Sequence, residues 1–276
     1  MTLDTADDVP LWPRAGELGD KALACVFEAF WRMPDVFILA MSLVLLLEVV
    51  DGGLHGSVGF LGTALHDAFA RQSHGVRLLA DGGLWLARLV LIAWVAVTVH
   101  RFILLQEATS GFGPLLHRNA WAFAGWLAAI GLISAVVDFP MPWAVRLPAL
   151  IPLSIVDIRS SLLFPAVAIG SADGSVVGRL RASWGRTRGR VLSLLYATIV
   201  TILPLFGVAI AVILVEFLSF AISDWPDSAQ GSAISGLIEL LLSSTSGVYG
   251  AMCGAAVASL AYRAALDAEA RQDAVR

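Results

Sequence analysis

The sequence predicts an all-α, polytopic transmembrane helical bundle of about six spans with both termini cytoplasmic. Three observations lead there. Of 276 residues, 58% are hydrophobic and only 14% charged, with a mean hydropathy of +0.80, whereas soluble domains carry about 25% charged residues. The apolar residues gather in runs of about 20, the helix length that crosses a bilayer core of about 30 Å. The basic residues are divided unevenly between the connections of those runs, which orients the chain.

Residues 1–19 are an acidic tail carrying Asp4, Asp7, Asp8 and Glu17. No basic segment followed by an apolar core occurs there, so insertion is expected to rely on the first membrane helix. The transmembrane domain covers residues 20–266, and a short tail follows at 267–276. In residues 20–33, Leu23, Val26, Phe27 and Phe30 share one helical face and Lys21, Glu28 and Arg32 the other. That is the pattern of an amphipathic helix lying in the headgroup plane.

The six spans are expected at residues 34–50, 84–105, 119–139, 147–170, 191–222 and 233–266. The fifth exceeds one crossing and contains Pro204, so a kink, a tilt or an extension is expected. An outer loop at 51–83 separates the first two spans. Within it, residues 60–70 suit one amphipathic helix, with Gly52, Gly53, Gly82 and Gly83 marking the joints to the membrane. No sequence repeat relates the two halves of the chain.

Orientation follows from lysine and arginine placement. With the N-terminus inside, the inner segments hold Arg14, Lys21, Arg32, Arg101, Arg118, Arg179, Arg181, Arg186, Arg188, Arg190, Arg263, Arg271 and Arg276. The outer loops hold Arg71, Arg77 and Arg146. The inner loop 171–190 is the most basic segment. Its arginines Arg179, Arg181, Arg186, Arg188 and Arg190, with Trp184, are either topology determinants or contacts for anionic phospholipid, each drawn to such headgroups by about 1 kcal/mol near the surface. The net charge of −4 and the lack of a basic tail exclude nucleic acid as a partner class. Cys25 and Cys253 both fall on the cytoplasmic side, so no disulfide is expected.

Arg159, with Asp157 two residues before it, interrupts the fourth apolar run. A charge at the bilayer centre costs at least about 2.5 kcal/mol, so it must be paired, hydrated or used. Counting about 1.5 Å per residue places Arg159 near mid-depth. Glu48, Glu216 and Glu239 fall in the outer halves of their spans. A polar cavity or ion-pair network is therefore expected among Asp157, Arg159, Glu216, Glu239 and Glu48, with Arg159 at its floor. Pro148, Pro152 and Pro165 suggest a broken helix around it. Arg88, Asp138 and His100 read as boundary residues.

The sixth run holds Ser246, Gly250, Gly254 and Ala258 at intervals of four, a small-residue stripe suited to close helix packing. Catalytic signatures are absent: no GxSxG, Walker loop, HExxH or CxxC occurs. His55, His66 and His74 in the outer loop match no metal-ligand spacing. No cofactor and no metal are expected.

Residues 100–107 (HRFILLQE), 159–166 (RSSLLFPA) and 182–189 (ASWGRTRG) together resemble six-helix inner-membrane proteins of α-proteobacterial type. These are loosely similar to the YciC-like family and to the membrane domain attached to some glycerophosphodiester phosphodiesterases. The resemblance implies an integral protein of the bacterial inner membrane and carries over no catalytic residue. The functions that remain are a non-enzymatic envelope or lipid-handling factor, or an accessory subunit of a membrane complex; a small-solute or ion transporter with its cavity at Arg159; and an intramembrane enzyme.

Overall fold

A computed structural model of the chain describes residues 12–56, 63–113, 118–135, 143–170, 175–222 and 229–275. All regular structure among them is helical: α1 Ala15–Arg32, α2 Pro34–His55, α3 Thr63–Ala70, α4 His74–Leu105, α5 Arg118–Ala135, α6 Trp143–Ser160, α7 Leu163–Ala168, α8 Val176–Arg186, α9 Val191–Ile222 and α10 Ala229–Val275. Five stretches are long and apolar enough to cross a membrane: Pro34–His55, His74–Leu105, Ile151–Ala168, Val191–Leu214 and Gly236–Ala274. The third expected span corresponds to α5, whose described part opens on Arg118 and Asn119 and is not among the five. The protein is an all-α bundle of membrane-spanning type.

Successive long helices reverse direction, and side-chain contacts fix the two ends. At one end Arg263 on α10 donates to the carbonyls of Ile103 and Leu104 on α4, and Arg186 on α8 binds Glu269 on α10. The same end holds α7 and the starts of α2, α5 and α9; we call it the basic end. At the other end Arg88 on α4 meets Glu48 and Asp51 on α2.

The C-terminal half of α4 is the axis of the molecule. Every residue from Ala93 to His100 is buried. A lipid-facing helix leaves one face outside, so this stretch is enclosed on all sides, by α1, α2, α5, α7 and α10. His100 is satisfied there by a 2.7 Å hydrogen bond shared with Ser259 of α10. After Leu105 the chain turns at Gln106, in the left-handed conformation (φ 57°) that ends many helices. It then runs back along α4. Glu107 binds Arg101, Thr109 meets the Met33 sulfur, Asp35 accepts from the Gly111 amide, and Phe112 stacks on Trp94 with centroids 5.1 Å apart.

Helix α1 overlaps the amphipathic segment expected at residues 20–33 but begins at Ala15, inside the expected acidic tail, and its buried stripe is rotated. Leu18, Ala22, Val26 and Ala29 are buried against α9 and α10, while Phe27 and Trp31 are exposed. Small residues decide this. A Cβ on Gly19 would lie 3.0 Å from the Val200 side chain, tighter than ordinary packing, so glycine lets α1 sit this close to α9 without a shift. The helix thus has three faces: one on protein, one exposed and apolar, and one bearing Lys21, Glu28 and Arg32.

The outer loop is shorter than the glycines suggested. Helix α2 continues to His55 and α4 begins at His74, so Gly82 and Gly83 lie inside a helix. The expected loop helix is α3. Helix α6 runs through Pro148 and Pro152 and ends at Ser160; the break falls at Ser161 and Leu162, with Pro165 inside the buried α7. Pro204 sits within α9. Proline removes the donor that would have met the Val200 carbonyl; separately, the Thr201 carbonyl accepts from the Tyr249 hydroxyl at 3.0 Å and the Cys253 thiol at 3.5 Å, tying α9 to α10. Both cysteines are free.

Candidate functional site

The polar groups form two separate clusters and one side cavity, in place of the single network expected around Arg159. At the end opposite the basic one, Arg88 binds Glu48 at 3.0 Å and Asp51 at 2.7 Å. His55 lies 3.0 Å from Asp51 and 3.4 Å from Asp81. Ser243 of α10 donates to Glu48 at 3.3 Å. Glu239 faces Glu48, Asp51 and Ser243 across a cavity of about 130 Å³. Arg88, read from sequence as a boundary residue, is the hub. Depth alone could not show this, because the pairing joins residues 37 and 40 positions apart.

Arg159 is elsewhere. It lies in the last turn of α6, 16 residues after Trp143 and so about 24 Å along the helix. Its guanidinium sits over the Trp184 ring of α8, 5.3 Å from the centroid. Ser183 donates to the Arg159 carbonyl at 2.6 Å, closing the contact between α6 and α8. No carboxylate pairs with Arg159 among the described residues, and its Nε is buried without a hydrogen-bond partner. The expectation that Arg159 floors a cavity with Glu48 and Glu239 is therefore corrected. The span was counted from residue 147, whereas the helix starts four residues earlier, and the chain breaks just after Arg159. The Glu216 side chain and all of Asp138 lie outside the described residues.

Asp157 points away from Arg159, as a spacing of two on a helix requires. It lines a cavity of about 260 Å³ with Ser154, Ile158 and Ser161 of α6, Leu194, Leu195 and Thr198 of α9, and Gly254, Val257 and Ala258 of α10. A larger groove of about 570 Å³ opens between α9 and α10, lined by Leu205, Phe206, Ala209, Ile213, Leu242, Glu239, Ser243 and Ser246 among others. The small-residue stripe thus borders open space. A Cβ on Gly250 or Gly254 would meet nothing within 4 Å. Ala258 at the end of the stripe is buried, but among the described residues no helix of the chain packs closely on Gly250 or Gly254; α9 meets α10 through Tyr249 and Cys253, on a neighbouring face.

The basic loop folds as α8, capped by the Ser175 side chain accepting from the Gly178 amide. Arg186 is neutralised by two bonds to Glu269, at 2.9 and 3.0 Å, and lies over the Tyr262 ring. Those bonds raise its already high pKa. Arg190 stacks over Trp12 at 4.1 Å. Arg179, Arg181, Arg188 and Arg190 make no ion pair among the described residues. Trp184 was expected beside these arginines, whereas the aromatic partners Trp12 and Tyr262 come from outside the loop and no local spacing in residues 179–190 signals them.

No group of three or more His, Cys, Asp or Glu able to hold a metal occurs among the described residues. His66 is engaged with the Leu54 carbonyl and His55 with Asp51 and Asp81. No known protein family, curated protein or solved structure matches this chain.

Proposed function

We propose that this chain is a non-enzymatic, multi-pass protein of a bacterial inner membrane, with both termini cytoplasmic, acting as an envelope or lipid-handling factor or as an accessory subunit of a membrane complex. Its basic end holds anionic phospholipid. One observation carries the reading: Arg159, Arg179, Arg181, Arg188 and Arg190 have no carboxylate partner among the described residues and are interleaved with Trp184 and Trp12. A guanidinium stacked on an indole keeps its in-plane N–H donors free for phosphate. Tryptophan at headgroup depth is the usual membrane anchor. The resemblance to YciC-like inner-membrane proteins agrees with this reading.

The test is lipid binding by the purified protein in detergent, read by native mass spectrometry. Phosphatidylglycerol is expected to bind in preference to phosphatidylcholine. The variant Arg179→Gln/Arg181→Gln/Arg188→Gln should lose that preference while keeping its fold. Equal binding of the two lipids by the unaltered protein sinks the proposal. The transporter reading expects a water-accessible cavity that reaches Arg159; the guanidinium instead lies over Trp184 and Glu239 lies at the opposite end of the molecule, so less supports that reading.

A further inference from the structure

A further cavity, of about 300 Å³, lies at the end opposite the basic one, bounded by the end of α2, the short helix α3 and the first two turns of α4. Its walls include His55, His66, Phe69, His74, Arg77 and Asp81. That volume is at the lower end of the range of about 300–1,000 Å³ usual for small-ligand sites. The walls are fixed by contacts between the three helices. Gly56 ends α2 in the left-handed conformation (φ 73°), and a Cβ there would meet the His66 ring at 3.1 Å. His66 Nδ1 lies 3.0 Å from the Leu54 carbonyl. A carbonyl only accepts, so Nδ1 carries the proton, and in the neutral ring Nε2 is left as an acceptor. His55 packs edge-on against Phe69 and stands between Asp51, at 3.0 Å, and Asp81, at 3.4 Å, so those carboxylates are engaged. Arg77 is not. It forms no ion pair among the described residues, and its Nε is buried without a hydrogen-bond partner. His74 and Arg77 both stand in the first turn of the 32-residue α4, where the positive end of the helix dipole favours an anion.

The same cavity therefore offers a cationic donor, Arg77, and a hydrogen-bond acceptor, His66 Nε2. We propose that it binds a phosphomonoester group. Arg77 donates to the ionised oxygens, for which its planar fork is suited. His66 Nε2 accepts the remaining P–OH. A monoester holds that proton with a pKa of about 6, so near neutrality it shares the proton with an adjacent imidazole. A phosphodiester, a sulfate and a carboxylate are fully ionised there and have no such proton to give. Arg77 alone would take any anion; the pair selects the monoester. Phosphatidylglycerol, a diester, does not fit, which sets this site apart from the lipid contacts proposed at the basic end. Two sources carry the group that does fit: a water-soluble phosphate ester and the headgroup of phosphatidic acid.

The experiment titrates the purified full chain in detergent with methyl phosphate, dimethyl phosphate and sulfate, read by calorimetry. Methyl phosphate is expected to bind about tenfold better than either of the others, the worth of one hydrogen bond to a charged group. Arg77→Gln breaks no ion pair, so it should keep the helical circular dichroism while weakening methyl phosphate about tenfold. His66→Ala should bring methyl phosphate down to the level of sulfate. Should that variant fail to fold, the comparison of the three anions on the unaltered chain still decides. Glycerol 3-phosphate by calorimetry and phosphatidic acid by native mass spectrometry separate the two sources. Arg77-dependent binding of the first assigns a soluble ester, and of phosphatidic acid alone a lipid headgroup; binding of neither overturns the inference. Measurable but equal binding of the three small anions overturns it too, as does monoester binding unchanged by Arg77→Gln. The variant Arg179→Gln/Arg181→Gln/Arg188→Gln should leave the monoester bound, so this inference and the proposed function stand or fail separately.

Discussion

The guanidinium of Arg159 on α6 lies over the indole of Trp184 on α8, 5.3 Å from the ring centroid, and with the Ser183 bond to the Arg159 carbonyl it joins the two helices. A desolvated arginine over tryptophan is worth about 2 kcal/mol, against about 0.5–1 kcal/mol when exposed. In a double-mutant cycle of Arg159→Gln and Trp184→Leu, thermal unfolding in detergent should give a coupling of about 1 kcal/mol. Additive effects would mean the pair is only adjacent.

Arg88 serves two carboxylates at once, so its loss and the loss of either partner are unequal. Arg88→Ala leaves Glu48 and Asp51 facing each other, both less than a third exposed. It is expected to cost about 2–3 kcal/mol, while Asp51→Asn costs about 1 kcal/mol. Detergent-dependent unfolding midpoints compare the two directly; a costlier Asp51→Asn would remove Arg88 from its place as hub.

His100 and Ser259 bridge α4 and α10 in the enclosed part of the core. Ser259→Ala leaves a fully buried ring nitrogen without its partner and should destabilise by about 1–3 kcal/mol. The double variant His100→Phe/Ser259→Ala should recover part of that loss, since an apolar pair carries no unmet hydrogen bond. No recovery would assign the cost to shape.

Two glycines should respond with opposite signs to the same change. At Gly19 a new Cβ would lie 3.0 Å from Val200 and 3.3 Å from the Ala197 carbonyl, so Gly19→Ala should cost about 1–3 kcal/mol by forcing α1 from α9. At Gly250 nothing lies within 4 Å, so Gly250→Ala should stabilise by about 0.5–1 kcal/mol through helix propensity alone. Loss of stability at Gly250 would show that the stripe packs against something after all.

Cys25, on α1, has its thiol pKa raised first by burial and second by Glu28, with Arg263 opposing. A raised pKa means less thiolate, so alkylation at about pH 8 should be slower than for a free cysteine. Glu28→Gln should speed it and Arg263→Gln should slow it further. A rate at or above that of free cysteine would contradict this environment.

Spans were legible because hydropathy is a local property: runs of apolar residues near 20 give the long helices whatever surrounds them. Loop chemistry was less legible. Gly82 and Gly83 signal a joint in isolation, but the helical ladder of α4 continues through them, as α6 continues through Pro148 and Pro152. The face that α1 buries was misjudged because large residues dominate a sequence pattern, whereas Gly19, Ala22 and Ala29 set the closest approach.

The sequence by itself determined the class of molecule, an all-α membrane-type bundle with a basic end, and the residues whose charge must be satisfied. Only tertiary structure decided with what. Arg159 meets Trp184 where the acids were expected, Arg88 gathers Glu48 and Asp51, and Asp157 lines a cavity of its own. Such pairings depend on which helix faces lie together, and on how far each helix runs. A shift of four residues in where α6 begins moves a side chain about 6 Å along the axis on nearly the same face, enough to exchange one layer of neighbours for the next.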